Sequence, residues 1–184
     1  VTLVHGGFLH LFFNMYALYL AGPIVERWYG SIRFVLFYLA CAAAGSVASF
    51  VFGGDAPSVG ASGAIFGLFG LLLVAGRLHK PVDRQSRMLV SQLGMLILIN
   101  IAFGFAVRGI DNAAHLGGLA AGALIGALVP PHLVQTLTSL WQRPGEAGTA
   151  HVARVPIVAM LLALGIVAVV VVVGLIVGTD ARTR

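Results

Sequence analysis

The chain has 184 residues, of which 59% are hydrophobic and only 9% are charged. Soluble domains contain roughly 25% charged residues, so this composition excludes a soluble globular protein. The shortage of charge extends along the whole chain, which neither a signal peptide nor a single membrane anchor explains. The composition therefore predicts an all-α, polytopic transmembrane helical bundle.

The net charge of +5 does not indicate nucleic-acid binding, because the basic residues stand between apolar runs, where they determine membrane topology. The single cysteine, Cys41, lies within an apolar run. One cysteine excludes an internal disulfide and a Cys-x-x-Cys site, and we expect Cys41 to pack in the core. A His-Glu-x-x-His zinc motif is also absent from the sequence.

Six apolar runs approach the length of about 20 residues that a membrane-spanning helix needs. They cover about residues 7–25, 34–53, 59–75, 88–107, 113–129 and 156–177. The last run contains no ionisable group and is typical of a plain lipid-facing span. Trp28 and Tyr29 follow the first run, where we expect them to lie in an interfacial aromatic belt.

Lysine and arginine concentrate on one side of the predicted membrane. Eight of the eleven lie in three alternate connectors, and the other three lie on the opposite side. The positive-inside bias places the richer side, including the connector at 130–154, in the cytoplasm. Ser62 and His115 each begin a run entered from the other side, so the topology predicts similar depths in the outer part of the membrane.

Ser62 by itself is ambiguous. Small residues at the start of a membrane helix usually serve helix packing, and serine there commonly bonds to its own backbone. His115 changes the interpretation, because ionisable residues within membranes are costly and are functional candidates. A serine needs a base to become a nucleophile, and histidine suits that role. The start of a helix also offers free N–H groups and a positive dipole end to an oxyanion.

Glycine spacing predicts that the third and fifth runs pack closely. Gly63 and Gly67 are four residues apart, as are Gly118 and Gly122. Small residues at this spacing form a smooth helix face that a second backbone can approach. The two faces would bring Ser62 within hydrogen-bond distance of His115.

Other polar residues occur near these helix starts. His10 and Asn14 share one face of the first run, four residues apart, and both can donate hydrogen bonds. They suit either support of an oxyanion or bonding to neighbouring helices. Asp111 precedes His115 by four residues, which raises a Ser–His–Asp triad, but its position favours capping the fifth helix. A Ser62–His115 dyad is therefore the working model.

Together these motifs resemble the rhomboid family of intramembrane serine proteases over about residues 4–129. The resemblance rests on His10-x-x-x-Asn14, Gly60-Ala61-Ser62-Gly63 and Ala114-His115-Leu116-Gly117-Gly118, which occur in the family's order on three separate spans. It implies hydrolysis of peptide bonds in or near transmembrane segments of other membrane proteins, within the bilayer. It implies no metal, no other cofactor and no nucleic acid.

The resemblance also implies the role of each site residue. Ser62 would be the nucleophile and His115 the general base. His10 and Asn14 would form the oxyanion pocket with backbone groups near Ser62, at Gly60 and Gly63. Phe66 stands where related proteases often carry tyrosine, so we expect an aromatic ring beneath His115 that lacks a hydroxyl.

The same resemblance predicts the domain organisation. Residues 1–129 would form the catalytic core, 130–154 a cytoplasmic connector, and 155–184 an extra carboxy-terminal span with a tail. The family's first span has no counterpart in the sequence, so we expect seven spans in the full-length protein. The sixth run resembles the extra carboxy-terminal span of the bacterial or organellar version of the family. We expect a bacterial plasma membrane as the location, with the active site toward the extracytoplasmic side.

Two other classes of protein are alternatives to a protease. An inactive rhomboid-like protein that binds transmembrane clients usually lacks the serine or the histidine, and both are present here. A transporter or channel is disfavoured, because the sequence shows no inverted repeat and only six acidic residues, none central in a span.

Overall fold

The computed structural model describes residues 8–53, 61–79, 84–106, 110–132 and 156–183. Within these ranges all regular structure is α-helical, which confirms the all-α prediction. The helices are α1 (Phe8–Tyr29), α2 (Ser31–Phe52), α3 (Ser62–Leu78), α4 (Arg84–Ala106), α5 (Asn112–Leu128) and α6 (Ile157–Thr183). Each of the six predicted apolar runs corresponds to one helix.

Two described helices are long and apolar enough to cross a membrane by length and composition alone. They are α2 and the Ile157–Asp180 part of α6, with hydropathies of 2.0 and 3.2. The apolar helices Ser62–Leu78, Gln92–Phe105 and Asn112–Leu128 are shorter. At 1.5 Å per residue, α3 and α5 are roughly 25 Å long, somewhat less than a hydrocarbon core.

The junction between α1 and α2 differs from the prediction. The first apolar run was expected to end near residue 25 and the second to start near 34, whereas the helices continue to Tyr29 and resume at Ser31. Charged residues such as Glu26 and Arg27 are good helix formers, so they end the apolar pattern without ending the helix. The break comes at Gly30, whose φ of 87° is accessible mainly to glycine.

The prediction of an interfacial belt at Trp28 and Tyr29 is wrong. Both side chains are fully buried. The Tyr29 hydroxyl donates to the backbone oxygen of Val129 at 2.9 Å, and its ring packs edge-on against Phe37. The His132 N–H donates to the Trp28 carbonyl at 2.9 Å, so the chain after α5 returns over the end of α1.

Helix α3 lies at the centre of the bundle. It contacts α1, α2, α4 and α5, and every residue from Gly63 to Leu72 is buried. A helix that is apolar on all sides is typical of such a central position. The serine at its first position is therefore anchored in the part of the fold with the most neighbours.

The most extensive helix contact joins α3 to α5, which run parallel. Three glycines of α5 each face a backbone carbonyl oxygen of α3, the pairs being Gly118 with Gly63, Gly122 with Gly67, and Gly126 with Leu71. A methyl group at any of these glycines would overlap that oxygen. The close approach expected from the glycine spacing is present.

Helix α6 packs along one side of the bundle, against α2 and α5. Gly174 and Gly178 lie against Val47 and Phe50 of α2, and Ala163 is buried. Most of the other α6 side chains are exposed, as expected for a lipid-facing helix. Most of the connector predicted at 130–154 lies outside the described residues.

Candidate active site

Ser62 and His115 lie at the same end of two parallel helices. Ser62 is the first residue of α3, and His115 lies in the first turn of α5. The Ser62 Oγ is 2.9 Å from the His115 Nε2, which is hydrogen-bond distance. The pair inferred from two helix starts, 53 residues apart in sequence, is therefore in direct contact.

The ring of His115 is held on one side by Phe66. The two rings are stacked, with centroids 4.2 Å apart and an interplanar angle of 6°. Phe66 is one helical turn after Ser62, so α3 supplies both the hydroxyl and the surface on which the imidazole rests. His115 is 7% exposed while Ser62 is half-buried, so the hydroxyl is the more accessible partner.

Asp111 caps α5. Its Oδ1 accepts a hydrogen bond from the Ala114 N–H at 2.9 Å, which confirms the predicted capping role. Asp111 also interacts electrostatically with His115. The His115 Nδ1, however, is buried and has no hydrogen-bond partner within the described ranges. The geometry is that of a Ser–His pair rather than of a hydrogen-bonded triad.

Among the described residues, no side chain caps the amino end of α3. Ala61 occupies the N-cap position, and its carbonyl accepts from the Ile65 N–H. The N–H groups of the first three residues, Ser62, Gly63 and Ala64, therefore lack acceptors within the helix. Such groups, with the helix dipole, favour negative charge beside Ser62. Gly60, also expected at this pocket, lies outside the described residues.

His10 and Asn14 come from α1, which contacts α3. Asn14 is 6% exposed, and its Nδ2 donates to the His10 carbonyl at 2.9 Å, within its own helix. An amide nitrogen carries two hydrogens, so this bond uses one of them. His10 is half-buried and lies one helical turn before Asn14 on α1.

Comparison with known families decides the identity. A model of the Rhomboid domain matches residues 1–132. This chain belongs to the rhomboid family. Rhomboid proteins are integral membrane proteins, in agreement with the composition and the helical bundle.

Individual relatives match the same region of this rhomboid. It is 47% identical over 124 residues to Rhomboid protease GluP of Bacillus subtilis (strain 168), covering 67% of this chain and 24% of GluP. It is 38% identical over 131 residues to RHOMBOID-like protein 4 of Arabidopsis thaliana, covering 70% and 33%. RHOMBOID-like protein 5 of the same plant is 37% identical over 125 residues, covering 67% and 40%. The match thus spans less than half the length of each of these relatives.

Sequence reasoning missed the contribution of α2 to the candidate site. A methyl group on Gly45 would lie 2.9 Å from the Ala114 carbonyl oxygen, next to His115. On the other side of the same contact, Gly117 lies against Ala44 and Ala48. The small residues of α2 were a usable signal, because Ala44 and Ala48 are four apart with Gly45 beside them.

No group of three or more histidine, cysteine, aspartate or glutamate residues capable of holding a metal ion occurs among the residues that the structure describes.

Proposed function

We propose that this chain is an intramembrane serine endopeptidase that hydrolyses peptide bonds in or near transmembrane segments of other membrane proteins. The observation that carries the proposal is the 2.9 Å contact between Ser62 Oγ and His115 Nε2 at the start of two closely packed helices. A relative that is 47% identical over the matched region is named a rhomboid protease, which supports the same activity.

In this mechanism His115 is the general base. Its Nε2 takes the hydroxyl proton while Ser62 Oγ bonds to the scissile carbonyl carbon, and the same proton then passes to the leaving amine. A water molecule then attacks the acyl carbon and gives a proton to His115 Nε2. That proton passes to Ser62 Oγ as the bond between Oγ and the acyl carbon breaks. The Nε2 must be unprotonated to begin, so a neutral ring carries its hydrogen on Nδ1. Stacking on Phe66 holds that ring in place, and within the described ranges no carboxylate accepts a hydrogen bond from its Nδ1.

We assign the oxyanion pocket to the uncapped start of α3 and to α1. Backbone N–H groups near Ser62, including that of Gly63, would donate to the oxyanion, with Gly60 completing the turn. His10 and the second amide hydrogen of Asn14 would add donors from α1. Donors aimed at developing negative charge supply a large part of the rate enhancement in acyl transfer.

The substrate class follows from where the pair lies. Ser62 and His115 stand at helix starts in a bundle of apolar helices, so a peptide bond must reach them at the level of the membrane. The lysine and arginine distribution supports an orientation with these helix starts on the extracytoplasmic side, and a bacterial plasma membrane is the proposed location. In this proposal residues 1–129 are the catalytic core, 130–154 a cytoplasmic connector and 155–184 an additional span.

The alternative is an inactive rhomboid-like protein that binds transmembrane clients. Such a protein has no need of a serine and a histidine in contact, whereas here both are present and bonded. The distinction lies in turnover, which the following assay measures.

The test is cleavage of a labelled single-span reporter protein reconstituted with the purified chain in liposomes. Ser62→Ala should abolish cleavage and leave the helical content unchanged. Ser46→Ala is the matched control, because Ser46 is an exposed serine of α2, and it should cleave at the wild-type rate. A wild-type chain that binds the reporter without cutting it would favour the client-binding alternative.

A further inference from the structure

His79 joins α3 to α5 at the end of the bundle opposite Ser62. It is the C-cap residue of α3 and is half-buried. Its Nε2 lies 3.1 Å from the carbonyl oxygen of Gly126 and 3.2 Å from that of Ala127. Carbonyl oxygens only accept hydrogen bonds, so Nε2 carries the hydrogen and shares it between them.

The two carbonyls bonded by His79 belong to the last turn of α5, which ends at Leu128. The final four carbonyls of a helix have no donor within that helix. The carbonyl of Ile125 accepts a hydrogen bond from the N–H of Val129. The carbonyls of Gly126 and Ala127 accept from His79, at the end of α3. The carboxy end of α5 is therefore capped by another helix.

The glycine contacts between α3 and α5 do not define one axial register. The carbonyls of Gly63, Gly67 and Leu71 recur every four residues, as do the glycines that face them at 118, 122 and 126. Sliding α5 by four residues, roughly 6 Å, would place Gly122 opposite Gly63 and Gly126 opposite Gly67. Two of the three contacts would then be restored.

Packing against α2 already disfavours this slip, because Ala121 would replace Gly117 beside Ala48. Polar contacts at the two ends of α3 and α5 oppose the slip as well. The observed register is the one in which Ser62 meets His115 and His79 meets Gly126 and Ala127. A slip of one turn would carry Ser62 several ångströms away from the imidazole, beyond hydrogen-bond distance. The hydrogen bond between Ser62 and His115 would not hold the axial register by itself, because it must break and re-form in each catalytic cycle.

We propose that His79 is a positioning residue: together with the packing of α5 against α2, its hydrogen bond to the end of α5 sets the axial register of α3 against α5 and so keeps Ser62 opposite His115. This role rests on the proposed function, since it affects catalysis only if Ser62 and His115 react. His79 acts from the far end of both helices and touches no reacting atom.

The experiment measures the rate constant for modification of Ser62 by a fluorophosphonate probe. The full chain is compared with His79→Phe, which keeps a ring without the donor, and His79→Gln, which keeps a donor. Rates are taken per folded molecule, well below each unfolding temperature. His79→Phe should lose roughly 10-fold or more, because misplacements of about 1 Å can cost up to 10²-fold, and His79→Gln should recover most of the rate.

Tyr29→Phe is the matched control. It also removes one hydrogen bond to the end of α5, from the Tyr29 hydroxyl to Val129, but that bond joins α5 to α1 rather than to α3. It should lower thermal stability and leave the labelling rate unchanged. A loss of rate equal to that of His79→Phe would show general loosening and overturn the positioning role.

The remaining outcomes separate this inference from the proposed function. A wild-type chain that is not labelled at Ser62 overturns the proposed function and the positioning role with it. Normal labelling of both wild type and His79→Phe overturns the positioning role alone. If His79→Phe does not fold, His79→Asn replaces it, because its shorter amide does not reach α5, and a wild-type rate in that variant has the same meaning.

Discussion

The ring of Phe66 stacks on the imidazole of His115 and orients it. The described ranges provide no hydrogen-bond partner for the His115 Nδ1, so the imidazole is oriented by stacking on Phe66 and by its contact with Ser62. A π-stack restrains tilting of the ring and leaves rotation within the ring plane less restricted. The site therefore depends more on packing than a hydrogen-bonded triad does.

Removing the Phe66 ring should reduce turnover without removing the dyad. An aromatic pair contributes about 0.5–1.5 kcal/mol beyond its buried area, so Phe66→Ala should lower kcat/KM roughly 2- to 10-fold through loss of orientation alone. Reporter cleavage in liposomes measures this, normalised to folded protein. Phe66→Tyr keeps the ring and should stay close to wild type; an equal loss in both variants would contradict the stacking role.

Asp111 gives the second prediction at this scale. Its carboxylate caps α5, so Asp111→Ala should lower the free energy of unfolding by about 1 kcal/mol. Asp111→Asn retains a capping oxygen and should be mild in both stability and cleavage. Cleavage and denaturation are measured on the same preparations, with His115→Ala as the inactive reference. An Asp111→Asn chain as inactive as His115→Ala would show a functional triad.

Helix α3 and helix α5 are the elements on which the site depends. Their contact is made by glycines facing backbone oxygens, so there is no side chain that can give way when volume is added. The glycines set how closely the two helices approach, and the polar contacts at the two ends act within that packing. This is why substitutions far from Ser62 along the same interface should affect its reactivity.

Gly122→Leu should separate α3 from α5 and inactivate the site. Gly122 lies against the Gly67 carbonyl, and even a methyl group would overlap it. Gly165→Leu is the control, since that position on α6 has nothing within 4 Å of an added carbon. Gly122→Leu should unfold at a much lower temperature than the wild type and lose reporter cleavage. Gly165→Leu should match the wild type in both measurements. A stable, active Gly122→Leu chain would refute the packing argument.

At the scale of the whole molecule, the sequence predicted a good part of the fold and of the site. Topology alone put Ser62 and His115 at the same depth, and the spacing of Gly118 and Gly122 indicated the helix that would approach α3. These signals are local periodicities and counts of charge, which a single sequence carries directly. The structure then added the 2.9 Å contact that periodicity does not contain.

The features that the sequence did not predict depend on contacts between distant segments. Trp28 and Tyr29 look interfacial beside two charged residues, and their burial depends on where α5 ends. The sequence likewise indicates that His79 belongs to a polar connector. Its hydrogen bond to the end of α5 depends on how the two helices pack. In a membrane bundle most faces are apolar, so hydrophobic periodicity does not show which face meets which neighbour.

Contact with His115 should make Ser62 nucleophilic. The most direct measurement is mass-spectrometric mapping of the residue modified when the folded chain in detergent is treated with a fluorophosphonate probe. We expect one adduct, on Ser62, that disappears in His115→Ala although the serine is still present. An adduct on another serine, or equal labelling of Ser62 in His115→Ala, would contradict it.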